Sequence, residues 1–250
     1  MYNQKLFHNL NSTMRKKIYL LTFLVLPFVL NSQSIENKKV LVVWGGWDGH
    51  KPKLFADLVV KWLESKNAEI HISNDLDIYD EYETLVKFDL IIQSVTMGEI
   101  TENQVKNLTK AVRSGVGIAG AHGGLGDSFR NSTPYQFMIG GQWVEHPGGK
   151  VKFEVNMIDD DLTQNLNNFE IFSEQYYMHY DPNIDIIATT KFNGKTYPWI
   201  EDVIMPVAWK KHYGKGKVFY ISIGHDPNEF VQYQDAWKLL TRGFIWSARD

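Results

Sequence analysis

The chain contains no cysteine. This absence excludes thiol nucleophiles, disulfide bonds, cysteine-ligated metal sites and a lipid anchor on cysteine, and it is compatible with an oxidising compartment. The sequence also has no P-loop and no His-Glu-x-x-His segment. No short motif therefore fixes the spacing of metal ligands, and any site must be assembled from separate parts of the chain.

A strong charge of either sign is also missing. The net charge is −3, and it becomes −7 without residues 1–32, which contain four basic residues and no acidic one. A mildly acidic domain is poorly suited to the phosphate backbone of nucleic acids. Nucleic acid is therefore not an expected partner.

Long apolar runs are scarce, and the one at residues 18–30 lies near the N-terminus. It follows the basic residues 15–17 and precedes small polar residues. This order is typical of a secretory signal peptide, and the run is short for a membrane span, although an uncleaved anchor is the alternative. We predict a signal peptide with an upstream extension at residues 1–33, cleaved near Ser32. The protein is then exported to the periplasm or the extracellular space, with no integral membrane span after signal removal.

From residue 39 to residue 122, buried-type strands alternate with segments of helical periodicity. A capping-box sequence, Thr101 to Gln104, opens one of the helices. This alternation predicts one α/β domain over residues 38–250, with a doubly wound, mainly parallel sheet and helices on both faces.

The periodicity weakens from residue 128 to residue 201, a stretch rich in Asn, Asp, Tyr and Gly. We expect an inserted loop region there, over the active edge of the sheet, with short strand-like pieces at 151–155 and 184–189. Regular structure resumes with an antiparallel pair at 205–210 and 218–223.

The most informative segment is Gly-Ile-Ala-Gly-Ala-His-Gly-Gly at residues 117–124. A buried-type strand ends there in a glycine-rich turn, and His122 lies at that turn. Ligands of parallel α/β sheets bind at the carboxyl ends of strands, and some hydrolases hold their nucleophile on such a turn. Here the position carries an imidazole.

Four histidines lie in turns beside glycine or proline, a setting in which polar side chains tend to serve function. They are His50, His122, His146 and His225, and Glu174 is the carboxylate expected to join them. Imidazole changes charge near neutral pH, so such a cluster suits acid–base chemistry. A His and Glu set could also hold a divalent metal ion, and each histidine alone could simply cap a turn.

Aromatic residues crowd the same loops, and their apolar faces with polar edges suit a carbohydrate ligand. Core packing is the alternative for any of them. The residues predicted to bind substrate are Trp47, Asp48, His50, Trp143, Tyr176 and Tyr177.

Several segments, in this order, resemble the trehalose-utilisation (ThuA-like) family over about residues 38–249. That family belongs to the class I glutamine-amidotransferase-like superfamily, and the resemblance implies a flavodoxin-like sheet. The segments are Gly-Gly-Trp-Asp-Gly-His at 45–50, the glycine-rich strand and His at 115–123, residues 134–147, Ser-Glu-Gln-Tyr-Tyr at 173–177, residues 206–216 and Gly-His at 224–225.

Two departures from the superfamily bear on chemistry. Amidotransferases carry cysteine where this chain has His122, so their thioester chemistry is not expected here. Members of the ThuA-like family often have an Asp-Glu pair where this chain has Ser173 and Glu174.

The resemblance implies a carbohydrate-pathway role with a small-molecule carbohydrate as partner. We expect an enzyme acting on a sugar or keto-sugar, in which His122 and His225 carry protons while Glu174 and His146 orient the substrate or a metal ion. A non-catalytic carbohydrate-binding protein on the same scaffold is the alternative. A degenerate interaction module without sugar affinity is a third.

Overall fold

The computed structural model describes residues 33–250, so the predicted signal peptide lies almost entirely outside the described residues. Within that range, no helix combines the length and the apolar character needed to cross a membrane.

The strands are β1 (Lys39–Gly46), β2 (Glu69–Ser73), β3 (Leu90–Thr96), β4 (Gly117–Ala121), β5 (Gly141–Glu145), β6 (Lys150–Met157), β7 (Phe169–Glu174), β8 (Tyr177–Tyr180), β9 (Asp185–Lys191), β10 (Ile204–Tyr213) and β11 (Gly216–Ile221). The α-helices are α1 (Pro52–Ser65), α2 (Tyr82–Leu85), α3 (Glu102–Ser114), α4 (Gly123–Gly126), α5 (Thr133–Ile139), α6 (Asn228–Gln232) and α7 (Gln234–Ser247).

Nine of the strands described form one sheet in the order β2-β1-β3-β4-β11-β10-β9-β6-β7. In this spatial order, the first five strands, which are β2, β1, β3, β4 and β11, pair in parallel. The remaining four, which are β10, β9, β6 and β7, pair antiparallel with their neighbours. The predicted flavodoxin-like α/β fold with a mainly parallel central sheet is therefore confirmed, as is the antiparallel β10–β11 pair.

The four inner parallel strands, β1, β3, β4 and β11, are buried on both faces, which explains their largely apolar sequences. Val40 and Val42 of β1 belong to one core, beneath α1 and α7. Leu41 and Val43 point the other way, into a second core with α3. Because successive side chains of a strand point to opposite faces, such a run requires helices on both sides of the sheet.

The region at 128–201 is more regular than the predicted loop insertion. Three of its strands, β6, β7 and β9, extend the main sheet, and β5 pairs with β8 in a separate two-stranded ribbon. The sequence revealed only fragments of these strands. In β6, for example, exposed residues interrupt the apolar ones, so no continuous apolar run marks the strand.

Candidate functional site

Three parallel strands deliver three histidines to one edge of the sheet. His50 ends a short helical turn after β1, His122 follows β4 directly, and His225 lies in the loop after β11. Parallel strands place their carboxyl ends on the same edge, which is the usual ligand-binding edge of such sheets. Glu174 at the end of β7 and His146 just after β5 reach the same place.

His122 has a backbone conformation that is rare for a residue with a side chain, with φ 49° and ψ −139°. Its amide donates to the carbonyl of Ile221 at 2.7 Å, which fixes the turn to β11. The next residue must be glycine, because a Cβ at Gly123 would overlap the ring of His50. Backbone strain of this kind is commonly retained at functional sites.

The carboxylate of Glu174 lies among four imidazoles. Its Oε2 is 3.1 Å from His122 Nε2, 3.2 Å from His225 Nδ1 and 3.7 Å from His50 Nε2. Its Oε1 is 3.9 Å from His146 Nε2. His50, His122 and Glu174 are buried. His146, with 37% of its side chain exposed, and His225, with 21%, are open to solvent.

The two buried imidazoles, His122 and His50, each contact a neighbouring oxygen through Nδ1. His122 Nδ1 lies 2.7 Å from the carbonyl oxygen of Ser222. Because a carbonyl can only accept, Nδ1 of His122 carries a proton. His50 Nδ1 lies 3.0 Å from Thr96 Oγ1, and Tyr176 stacks on His122 with ring centroids 4.0 Å apart. Both histidines therefore present Nε2 to Glu174.

Burial and hydrogen bonding set the charges of the site. Burial lowers the pKa of His122 to about 4, so this imidazole is neutral at pH 7. Burial alone would raise the pKa of Glu174, but contacts with His122, His225 and His50 outweigh it and bring the pKa well below its usual range. The centre of the site is thus an ionised carboxylate facing imidazole nitrogens.

The same geometry offers a metal-ligating set. One ligand atom from each of His50, His122, Glu174 and His225 lies within 4.8 Å of all the others. Imidazole nitrogen and carboxylate oxygen are common ligands of divalent transition metals.

The family model for ThuA, described as trehalose utilisation, matches residues 39–247. The chain belongs to the ThuA family. No curated protein sequence matches this ThuA-family chain.

Solved structures support the same fold. A putative ThuA-like protein from Bacteroides uniformis is 17% identical to this chain, and its match has a TM-score of 0.68 and covers 88% of this chain and 95% of that protein. A putative ThuA-like protein from Parabacteroides merdae is 15% identical, and its match has a TM-score of 0.63 and covers 85% of this chain and 90% of that protein. A β-galactosidase from Bacillus circulans is 14% identical, with a TM-score of 0.51 covering 86% of this chain but 32% of its own. At these identities the likeness concerns the fold alone.

Three of the predicted aromatic residues border the cluster in this ThuA-family protein. The Trp47 ring meets His50 edge-on at 4.8 Å, and Tyr176 stacks on His122. The ring centroids of Trp143 and His146 lie 5.7 Å apart, and the guanidinium of Arg130 lies 4.5 Å from the centroid of the Trp143 ring. These residues form the wall of the site.

Asp48 and Tyr177, which were also predicted to bind substrate, have other surroundings. Asp48 is exposed on the turn before His50, where its backbone carbonyl accepts from Lys51. Tyr177 lies in β8 and packs against Phe192, with ring centroids 5.8 Å apart. The structure therefore brings neither side chain into the wall formed by Trp47, Trp143 and Tyr176.

Sequence reasoning missed Thr96 and Glu229, which bond to residues in or next to the cluster of this ThuA-family protein. Thr96 could have been found, because it ends β3, whose neighbours β1 and β4 lead to His50 and His122. Glu229 accepts from Ser173 at 2.7 Å, across 56 residues of sequence. No local pattern signals such a long-range pair.

Proposed function

We propose that this protein is a carbohydrate-pathway enzyme that acts on a sugar or keto-sugar by His/Glu acid–base chemistry. One observation carries the proposal, namely the Glu174 carboxylate within 3.1–3.9 Å of four imidazoles delivered by separate segments. Turn capping would not require four histidines to converge on one carboxylate. Membership of a family described as trehalose utilisation supports the substrate class.

The wall of the site suits a carbohydrate. Trp47 is 48% exposed beside His50, and Trp143 is partly buried beside His146. Indole faces pack against the C–H faces of sugar rings, while the imidazoles and the carboxylate can bind hydroxyl groups. The aromatic and polar groups thus offer both surfaces that a sugar presents.

His146 is the residue best placed to exchange a proton with substrate. It is the most exposed of the four imidazoles, and its Nε2 faces Glu174 Oε1 at 3.9 Å. His122 is different, because it is buried and has a pKa of about 4, which makes it a poor acid at neutral pH. We therefore assign proton exchange to His146 rather than to the buried His122, and we assign to His122 and His225 the contacts that hold the Glu174 carboxylate, at 3.1 and 3.2 Å from its Oε2.

Amidotransferase activity is not part of the proposal. The strained turn after β4 carries His122, and the chain has no cysteine to form a thioester. The turn holds an imidazole against Glu174 instead.

The test is a screen of the full chain against a panel of sugars and keto-sugars, with products followed by NMR. We expect turnover of at least one compound and a loss of about 10²–10⁴-fold in kcat for His146→Gln, which removes the proton-exchanging group. His179→Gln is the matched control, because His179 is an exposed imidazole on β8 outside the cluster. Sugar binding without turnover would instead support the carbohydrate-binding alternative. An absence of both binding and turnover would overturn both functions.

A further inference from the structure

We propose that His50, His122, Glu174 and His225 together bind one divalent first-row transition-metal ion. The ligand atoms are Nε2 of His50 and His122, Oε2 of Glu174 and Nδ1 of His225. This inference rests on the proposed function, because it gives the same site its cofactor.

The spacing of these atoms fits an ion. Metal–nitrogen bonds are about 2.0–2.1 Å long, so two ligands of a tetrahedral ion lie about 3.3–3.4 Å apart. Oε2 of Glu174 is 3.1, 3.2 and 3.7 Å from the nitrogens of His122, His225 and His50. The widest pair of the set is within 4.8 Å, so only small side-chain movements are needed.

The nitrogens that face Glu174 also favour a bound cation. His122 directs Nδ1 at the carbonyl of Ser222, which leaves Nε2, 3.1 Å from Glu174 Oε2, as the nitrogen placed to ligate a metal ion. Nδ1 of His225 is buried 3.2 Å from the same oxygen and has no hydrogen-bond partner among the described residues. Three imidazole nitrogens therefore face Oε2 of Glu174, at 3.1, 3.2 and 3.7 Å, although one carboxylate oxygen has only about two lone-pair sites. A metal ion bound to Oε2 would ligate all three nitrogens together.

The surrounding contacts are those of metal-ligating histidines. Such residues usually bond through their other ring nitrogen to a carbonyl, a carboxylate or water, which fixes the ring. His122 does so to Ser222, and the Nδ1 of His50 contacts the Thr96 hydroxyl. Three imidazoles with one carboxylate favour ions such as Zn²⁺ over Mg²⁺ and Ca²⁺, which prefer oxygen ligands.

His146 remains outside this set. It faces Oε1, whereas the three ligating nitrogens face Oε2. Its exposure places it on the solvent side of Glu174. The same carboxylate would therefore bind the ion through one oxygen and neighbour the proton-exchanging imidazole through the other.

The test is isothermal titration calorimetry of chelator-treated, full-length protein with Zn²⁺ or Mn²⁺, alongside thermal unfolding. We expect one equivalent of at least one of these ions to bind and to raise Tm, since a ligand that binds only the folded state stabilises it. Mg²⁺ and Ca²⁺ should have much weaker effects. Affinity should fall at least about tenfold in His50→Gln and in His225→Gln, because ligand loss should cost no less than loss of a supporting contact. His179→Gln should retain wild-type affinity.

A wild-type chain that binds neither ion stoichiometrically would overturn the inference, as would unchanged affinity in both variants. Circular dichroism checks the fold of each variant. If neither folds, titration of the wild type with Co²⁺ decides, because nitrogen ligation changes its visible absorption and the spectrum of the hydrated ion would contradict the site. Full sugar turnover by metal-free protein would overturn the role of the ion as a cofactor of this site and leave the proposed function intact. Stoichiometric metal binding without any sugar turnover would support the metal site and overturn the proposed function.

Discussion

Ser173 donates its hydroxyl hydrogen to Glu229 across 2.7 Å, next to the carboxylate at the centre of the site. The same Oε2 of Glu229 accepts from the amide of Gly224 at 3.2 Å. One buried side chain thus joins the end of β7, which carries Glu174, to the loop that carries His225. Burial raises the pKa of Glu229, and the bond from Ser173 partly offsets this effect.

Glu229 is therefore a positioning residue for the metal ligands. In Glu229→Ala, we expect metal affinity to fall about 10–100-fold, as when other supporting contacts are lost. Calorimetry measures this fall, and urea unfolding of the metal-free protein separately reports the loss of stability. Glu170→Ala is the control, because Glu170 is an exposed carboxylate on β7. Wild-type metal affinity in Glu229→Ala would show that the link does not position His225.

Substitutions of His122 should reveal the strain in its backbone. Alanine at this position must hold φ near 49°, whereas glycine adopts such a conformation freely. We expect His122→Gly to be more stable than His122→Ala by about 1–3 kcal/mol, the reverse of the usual order within regular structure. Urea unfolding without metal makes the comparison. Equal stabilities would mean that the turn relaxes when the imidazole is absent.

Trp47 should contribute to sugar binding but not to metal binding. Its exposed ring contacts His50 only at the edge, so Trp47→Ala leaves the metal ligands in place. We expect KM for the sugar to rise about tenfold, which corresponds to about 1.4 kcal/mol, with kcat largely retained. Trp199→Ala is the control, because Trp199 is 77% exposed and stacks on Tyr197. A similar rise in KM for both variants would argue against a sugar platform at Trp47.

We also propose export, on the basis of the basic residues, apolar run and small polar residues at 15–33. Signal peptidases cleave after such segments, so the mature protein should begin between residues 31 and 36. Mass spectrometry of the protein from its native cells measures this directly. An intact N-terminus on protein in the cytosolic fraction would refute the proposal.

The sequence was most informative where topology alone decides position. His50, His122 and His225 could be placed together because they follow parallel strands, and these meet at one edge whatever the details of the loops. The directions of Asp48 and Tyr177 depend on local turn and strand geometry, which composition does not fix. The strand-like pieces predicted at 151–155 and 184–189 overlap β6 and β9, but no local pattern shows which strands pair, so the extension of the main sheet by β6, β7 and β9 could not be predicted.

The central claim is that the cluster around Glu174 is the catalytic centre of a carbohydrate-pathway enzyme. Its most direct test is the kcat of Glu174→Gln on a sugar or keto-sugar that the wild type converts. All four imidazoles face this carboxylate, and glutamine keeps its shape but removes its charge. We predict a fall in kcat of at least about 10²–10⁴-fold, the range for loss of one acid or base, with the fold intact by circular dichroism. Turnover at the wild-type rate would contradict the account.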